Sequence, residues 1–324
     1  MIPGAAYQAP AGLRNAHLQS LLATLPLRRP LVWRRAGSAL AATCSEVLDA
    51  GAGVRLLAEH TPPAVASGRF AVLIHGWEGS AASLYMVSLA ARLVRSGFRV
   101  VRLNLRDHGD SHHLNPGIFH SCRLDEVLGA LLALQARFAE EPLHLAGFSL
   151  GGNFALRVAA RAPAVGLRLA KVVAVCPVLD PRQTLAALDG AAPYRHYFLR
   201  KWRRSLERKR RVFPELYDFG PLGRFRSLRE MTGYFVQHFT EFPDLDSYLR
   251  GYAITGDRLA GLEVPAELLL ADDDPVIPVV DAAGLAPGSA LTVHRSRYGG
   301  HCGFMQDWRL QGWLDGFVAR AFGA

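Results

Sequence analysis

From residue 70 onward the chain alternates between continuous apolar runs and helical stripes. The runs 70–74, 98–105, 143–146 and 169–176 are apolar at nearly every position, as strands buried on both faces are. Between them, 82–94, 124–138 and 149–161 repeat apolar residues every three or four positions, the period of a helix. This alternation predicts an α/β fold: a mostly parallel central sheet with helices on both faces. The pattern stops at residue 177. Residues 177–262 hold no convincing strand but fourteen aromatic side chains, and they predict a helical cap inserted over the sheet. The sheet then resumes with strands at 264–271 and 290–295, a helix at about 279–285 and a closing helix over 305–322. Ahead of the alternation, 1–40 read as an irregular arm rich in proline and arginine, with one short amphipathic helix at 15–22. The runs 43–48 and 54–59, split by Gly51-Ala52-Gly53, read as a hairpin. The predicted division is an arm over 1–40, a core over 41–176 and 263–324, and a cap over 177–262.

Composition narrows the class. A chain of 324 residues that is half hydrophobic buries a large core, enough for one such domain with its insertion. The four cysteines, Cys44, Cys122, Cys176 and Cys302, are scattered without CxxC or Cys/His ligand spacing. A reducing compartment and no structural zinc are expected. No run reaches membrane-spanning length, and the first thirty residues lack a basic stretch followed by a long apolar core. The expectation is a soluble, cytoplasmic protein. The net charge of +9 is concentrated: nine basic residues and a single acid, Glu207, lie between 195 and 211. So local a charge argues against nucleic acid as a partner.

The chemistry centres on 143–153, LHLAGFSLGGN. A short buried strand breaks at Gly147-Phe148-Ser149-Leu150-Gly151 and a helical pattern follows. Strand, G-x-S-x-G, helix is the context of a nucleophile elbow, in which a sharp turn exposes the serine hydroxyl and leaves no room for flanking side chains. The competing reading is a glycine-rich turn whose serine caps the helix. The partners found downstream favour the elbow. An acid is expected at the carboxyl end of a later strand, and Asp272-Asp273-Asp274-Pro275 follows the run ending at Ala271. Asp274 is favoured because it opens a D-x-apolar-apolar-P sequence; Asp273 is the alternative. After the last strand, Tyr298-Gly299-Gly300-His301-Cys302-Gly303 presents His301 as general base.

The oxyanion donors are expected to be the backbone N–H groups of Leu150 and of Trp77. Trp77 lies in His75-Gly76-Trp77-Glu78-Gly79-Ser80, where the glycines let the backbone approach substrate and His75 and Gly76 support the loop. In the resulting scheme His301 takes the Ser149 proton, Asp274 orients the imidazole, and water resolves the acyl-serine. No metal or organic cofactor is needed. His108, His112, His113 and His120 raise a metal reading, but they lie in a loop without ligand spacing.

With these residues in hand, the chain resembles the YheT-like branch of the α/β-hydrolases, related to eukaryotic ABHD-type esterases. The resemblance covers nearly the whole chain. It rests on NAHLQSLL at 15–22, HGWEGS at 75–80, GFSLGGN at 147–153, DDP at 273–275 and GGHCGF at 299–304. It implies carboxylic-ester hydrolysis. Members carry a loop N-x-R-G-x-x-x-S, and here 104–111 reads NLRDHGDS, with Asp107 in place of the glycine.

The cap speaks to substrate. Leu199, Trp202, Leu206 and Phe213 fall roughly on one helical face with arginines around the rest. The plain reading is a cap helix with a solvated basic face. The sharper one is a peripheral contact through 195–211 with an anionic membrane, or guidance of an acidic substrate. The leading expectation is a serine esterase acting on a small-molecule or lipid-like ester. An acyltransferase or thioesterase on the same scaffold, or a non-catalytic lipid-binding protein, are the alternatives.

Overall fold

The computed structural model describes residues 7–286 and 288–324; residues 1–6 of the predicted arm lie outside it. Strands β1 (Cys44–Asp49), β2 (Arg55–Thr61), β3 (Arg69–Ile74), β4 (Phe98–Leu103), β5 (Leu143–Phe148), β6 (Leu169–Val175), β7 (Ala266–Ala271) and β8 (Leu291–Ser296) form one sheet in the order β1-β2-β4-β3-β5-β6-β7-β8. β1 and β2 are the expected hairpin, β2 meets β4 antiparallel, and every later pairing is parallel. All six residues of β5, at the centre, are buried. That is what a continuous apolar run requires once helices cover both faces.

Helices α1 (Ala16–Thr24), α2 (Arg29–Leu40), α3 (Leu84–Arg95), α4 (Leu124–Arg137), α5 (Leu150–Arg161), α6 (Pro181–Gly190), α7 (Ala192–Val212), α8 (Leu228–Phe239), α9 (Leu245–Tyr252) and α10 (Leu314–Ala321) complete the chain. The side chains of α2, α3 and α10 pack on one face of the sheet. Those of α4, α5 and the 177–262 helices pack on the other. Phe154 of α5 is wholly buried there, worth about 1.5–3 kcal/mol relative to exposure.

Between β6 and β7 there are helices and no strand among the described residues, and their ends are capped from within. Asp180 and Asp244 accept the Arg182 and Ser247 N–H groups at the starts of α6 and α9. Asp189, in the last turn of α6, accepts from Leu228 N–H, Arg229 N–H and the Ser227 hydroxyl at the start of α8. One carboxylate thus joins two cap helices. Among the described residues no helix is long and apolar enough to cross a membrane.

Three local expectations are corrected. Residues 29–40 form α2 rather than irregular chain: Pro30 sits in the first turn, where its missing N–H costs nothing, and Val32, Ala36 and Leu40 align on the buried face. The helix expected at 279–285 is a 3-10 helix, Val279–Gly284. The closing helix begins at Leu314 and not at 305. Phe304 and Leu310 adopt left-handed φ of 46° and 59°, which a helix does not admit. The chain between them is instead held by the arm: Met305 O accepts the Tyr7 hydroxyl, Met305 N–H donates to Gln19 Oε1, and Leu310 O accepts from Arg28.

Candidate active site

Ser149 occupies the one-residue turn between β5 and α5 with φ 53° and ψ −120°, a conformation unfavourable for any residue with a Cβ. Its N–H donates to Val175 O of β6 at 2.9 Å, which fixes the turn against the sheet. The neighbouring glycines are obligatory. A Cβ on Gly147 would lie 2.1 Å from Gly151 O, and one on Gly151 would lie 2.3 Å from Ile74 O.

The three candidate residues meet at this turn. His301 Nε2 lies 2.9 Å from Ser149 Oγ, and His301 Nδ1 lies 2.9 Å from Asp274 Oδ2. The Asp274 carboxylate is 1% exposed, and its other oxygen accepts from Val276 and Ile277 N–H. Asp273, the alternative, faces elsewhere: its Oδ1 accepts Gly300 N–H at 2.8 Å. So one aspartate orients the imidazole and the other holds the loop that carries it. Burial pushes the His301 pKa down, but the Asp274 charge, with Cys302 and the Asp274 hydrogen bond, outweighs it and raises the pKa to about 9.

The loop after β3 lies beside the serine. A Cβ on Gly76 would come 3.1 Å from Ser149 Cβ and 3.3 Å from Phe148 O, so glycine lets this backbone pass close without crowding the serine. Among the described residues no acceptor takes the N–H of Trp77 or of Leu150. Glu78 in the same loop has φ 56°. Burial pushes its carboxyl up to about 7 against the pull of Lys201 and Arg208.

Two histidines brace the loop. His75 Nδ1–H donates to Gly76 O while its Nε2 accepts Leu105 N–H. His108 Nδ1–H donates to Arg106 O while its Nε2 accepts Glu78 N–H. Each ring therefore has the neutral tautomer, and burial lowers both pKa values, that of His75 to about 4. His75 was expected to support this loop, and its ring bridges Gly76 O and Leu105 N–H. His108, read only as a possible metal ligand, has the same role. His112 instead pairs with Ser205 of α7 at 3.0 Å.

Two supports were not legible as such. The first is α1. Ser20 Oγ accepts the His301 N–H at 2.8 Å, and a Cβ on Gly300 or Gly303 would collide with Ala16 O or Gln19 O. The NAHLQSLL stretch thus serves as the seat of the histidine loop. The second is the ion pair between Lys209 Nζ of α7 and Asp107 Oδ1, 2.8 Å apart with Lys209 1% exposed. The Lys209 ammonium also donates to the carbonyls of His112, Asn115 and Gly117. Asp107 itself has φ 58°, which explains why glycine suits this position, and the aspartate adds the ion pair and an acceptor for Phe119 N–H.

A cavity of about 1140 Å³ opens between the sheet and the cap helices, and Ser149 and His301 line it. Phe198 of α7 stacks on Trp77 with centroids 5.1 Å apart, and Trp202 meets the same ring edge-on. Lys201, Arg204 and Arg208 of α7 line the cavity too, and Arg204 and Arg208 are also exposed, so they stand at its mouth. Leu199, Trp202 and Leu206 are buried and face the protein interior.

Known proteins resemble this chain in sequence or in fold. YheT of Escherichia coli (strain K12), named as a candidate esterase, is 25% identical over 94% of this chain and 89% of its own. The phospholipase ABHD3 of Mus musculus is 22% identical over 72% of this chain and 58% of its own. The solved structure of the esterase Pf2001 of Pyrococcus furiosus superposes with a TM-score of 0.55 at 14% identity, over 88% of this chain and 90% of that one, a likeness of fold alone. The alpha/beta hydrolase fold family matches residues 72–307, well over half of the sequence, and the chain belongs to that family.

Proposed function

We propose that the protein is a serine hydrolase of carboxylic esters. Ser149 is the nucleophile, His301 its general base, and Asp274 the carboxylate that orients the imidazole and stabilises its charged form. The N–H groups of Trp77 and Leu150 receive the oxyanion. His301 removes the hydroxyl proton as Ser149 Oγ attacks the acyl carbon, then returns it to the leaving alcohol; water hydrolyses the acyl-serine by the same path. The observation that carries this reading is the unbroken relay of two 2.9 Å contacts from Ser149 through His301 to a buried Asp274, at the wall of a large cavity. The aromatic lining supports an apolar acyl group, in keeping with a small or lipid-like ester. The cations at the mouth support attraction of anionic substrates or anionic membrane surfaces. Such an attraction is mainly electrostatic, because Leu199, Trp202 and Leu206 of α7 are buried and its exposed large hydrophobic residues are Tyr197 and Val212.

The test is labelling by a fluorophosphonate, read by intact mass. The parent gains one adduct and Ser149→Ala gains none. A folded parent that takes no label overturns the reading and leaves a lipid-binding role in its place.

A further inference from the structure

Two cysteines that the proposed chemistry does not use lie beside the histidine. Cys176 directly follows the last residue of β6 and Cys302 follows His301, and both backbones are left-handed, with φ of 44° and 57°. Their sulfurs reach across one another: Cys302 Sγ is 3.8 Å from Val175 O, and Cys176 Sγ is 3.9 Å from Gly300 O. Val175 O is the same carbonyl that receives the Ser149 N–H. The hydrogen-bond partners of each thiol are the other thiol and nearby backbone groups. The two sulfurs and a ring nitrogen of His301 all lie within 4.8 Å of one another. His301 and Cys302 line the cavity, which gives an ion a path to the site.

We propose that Cys176, Cys302 and His301 form a binding site for a thiophilic divalent cation of the zinc and cadmium class, whose occupancy stops hydrolysis. Two sulfurs and an imidazole are the donor set such ions select over magnesium or calcium. Zinc–sulfur and zinc–nitrogen bonds of about 2.3 and 2.0 Å place neighbouring ligand atoms roughly 3.5 Å apart, so closing the site takes side-chain shifts of about 1 Å. Binding is a ligand exchange without electron transfer. Each thiol gives its proton to solvent, an imidazolium proton on His301 leaves with them where the ring is charged, and the imidazole then supplies its lone pair. Both nitrogens of His301 serve the relay, so coordination through either one breaks the bond to Ser149 or the bond to Asp274. The loss of turnover rests on the serine-esterase reading; the binding itself does not.

Cadmium is the probe, because cadmium–thiolate bonds absorb in the ultraviolet. One equivalent added to the parent is expected to raise that band, release at least two protons and abolish ester hydrolysis, with chelator restoring it. Ser149→Ala is expected to keep the full band, which separates the site from the catalytic reading. Cys44→Ala should also keep it. Cys302→Ala, or Cys176→Ala if the first does not fold, is expected to hydrolyse ester, lose the stoichiometric band and resist cadmium. A parent without the band, or a band that survives in the folded Cys302 and Cys176 variants, overturns the proposal.

Discussion

An imidazole 2.9 Å from a hydroxyl is a base only when it is neutral, and the surroundings of His301 decide when that is. With its pKa raised to about 9, kcat/KM for a neutral ester is expected to fall as pH drops through that value instead of through the ordinary 6.5. Asp274→Asn should move this acid limb downward and cost about 10⁴ in kcat, read from a pH–rate profile. Asp273→Asn keeps the imidazole bond and should leave the limb in place. The same shift has a stability side. The folded pKa lies above the unfolded one, so the protonated pair stabilises the fold fully below about pH 6.5, and this contribution is lost as pH rises through about 9. The candidates Ser149, His301 and Asp274 stood out because each sits where strand, turn and helix punctuate the sequence. The roles of Ser20 and His108 were not, because both act on backbone groups far away in the chain, which no local pattern encodes.

At the level of elements, continuous apolar runs made the strands readable, while α2 escaped notice. Its buried stripe is only Val32, Ala36 and Leu40, diluted by arginines, Gly37 and Ser38. The segment 305–313 misled in the opposite direction: its apolar residues are spaced as in a helix, yet contacts from the arm hold it in another shape. The pin between α7 and the loop after β4 yields a prediction at this scale. Lys209→Met strands the Asp107 carboxylate in a buried site and should cost about 3–5 kcal/mol in denaturant unfolding. Adding Asp107→Gly should recover much of that, since it removes the orphaned charge and suits the left-handed φ.

Across the whole molecule, the charge excess that composition reports as a single figure is divided by geometry. Arg210 and Arg211 pair with Glu207 on the exterior, Lys209 is buried, and Lys201, Arg204 and Arg208 border the cavity. Neutralising Arg204 and Arg208 together should therefore raise KM for an ester carrying a carboxylate and leave a neutral ester of equal length unchanged. Added salt should mimic the double variant in the parent. A spacing search for metal ligands misses the Cys176, Cys302 and His301 group for a related reason: its members come from two loops that only the closed sheet brings together.

The seat that α1 gives the histidine loop has a consequence for how the protein is made. The ribosome delivers the serine turn and Ser20 long before residues 299–303, so a nascent chain carries the proposed nucleophile without its proposed base. Reactivity should therefore arrive late and abruptly, when the last strand docks and Ser20 captures the His301 N–H. A ribosome-stalled series of lengthening chains, each long enough to clear the exit tunnel, should take no fluorophosphonate until that loop has emerged. Labelling of a chain stalled before it would show that the serine needs no such completion.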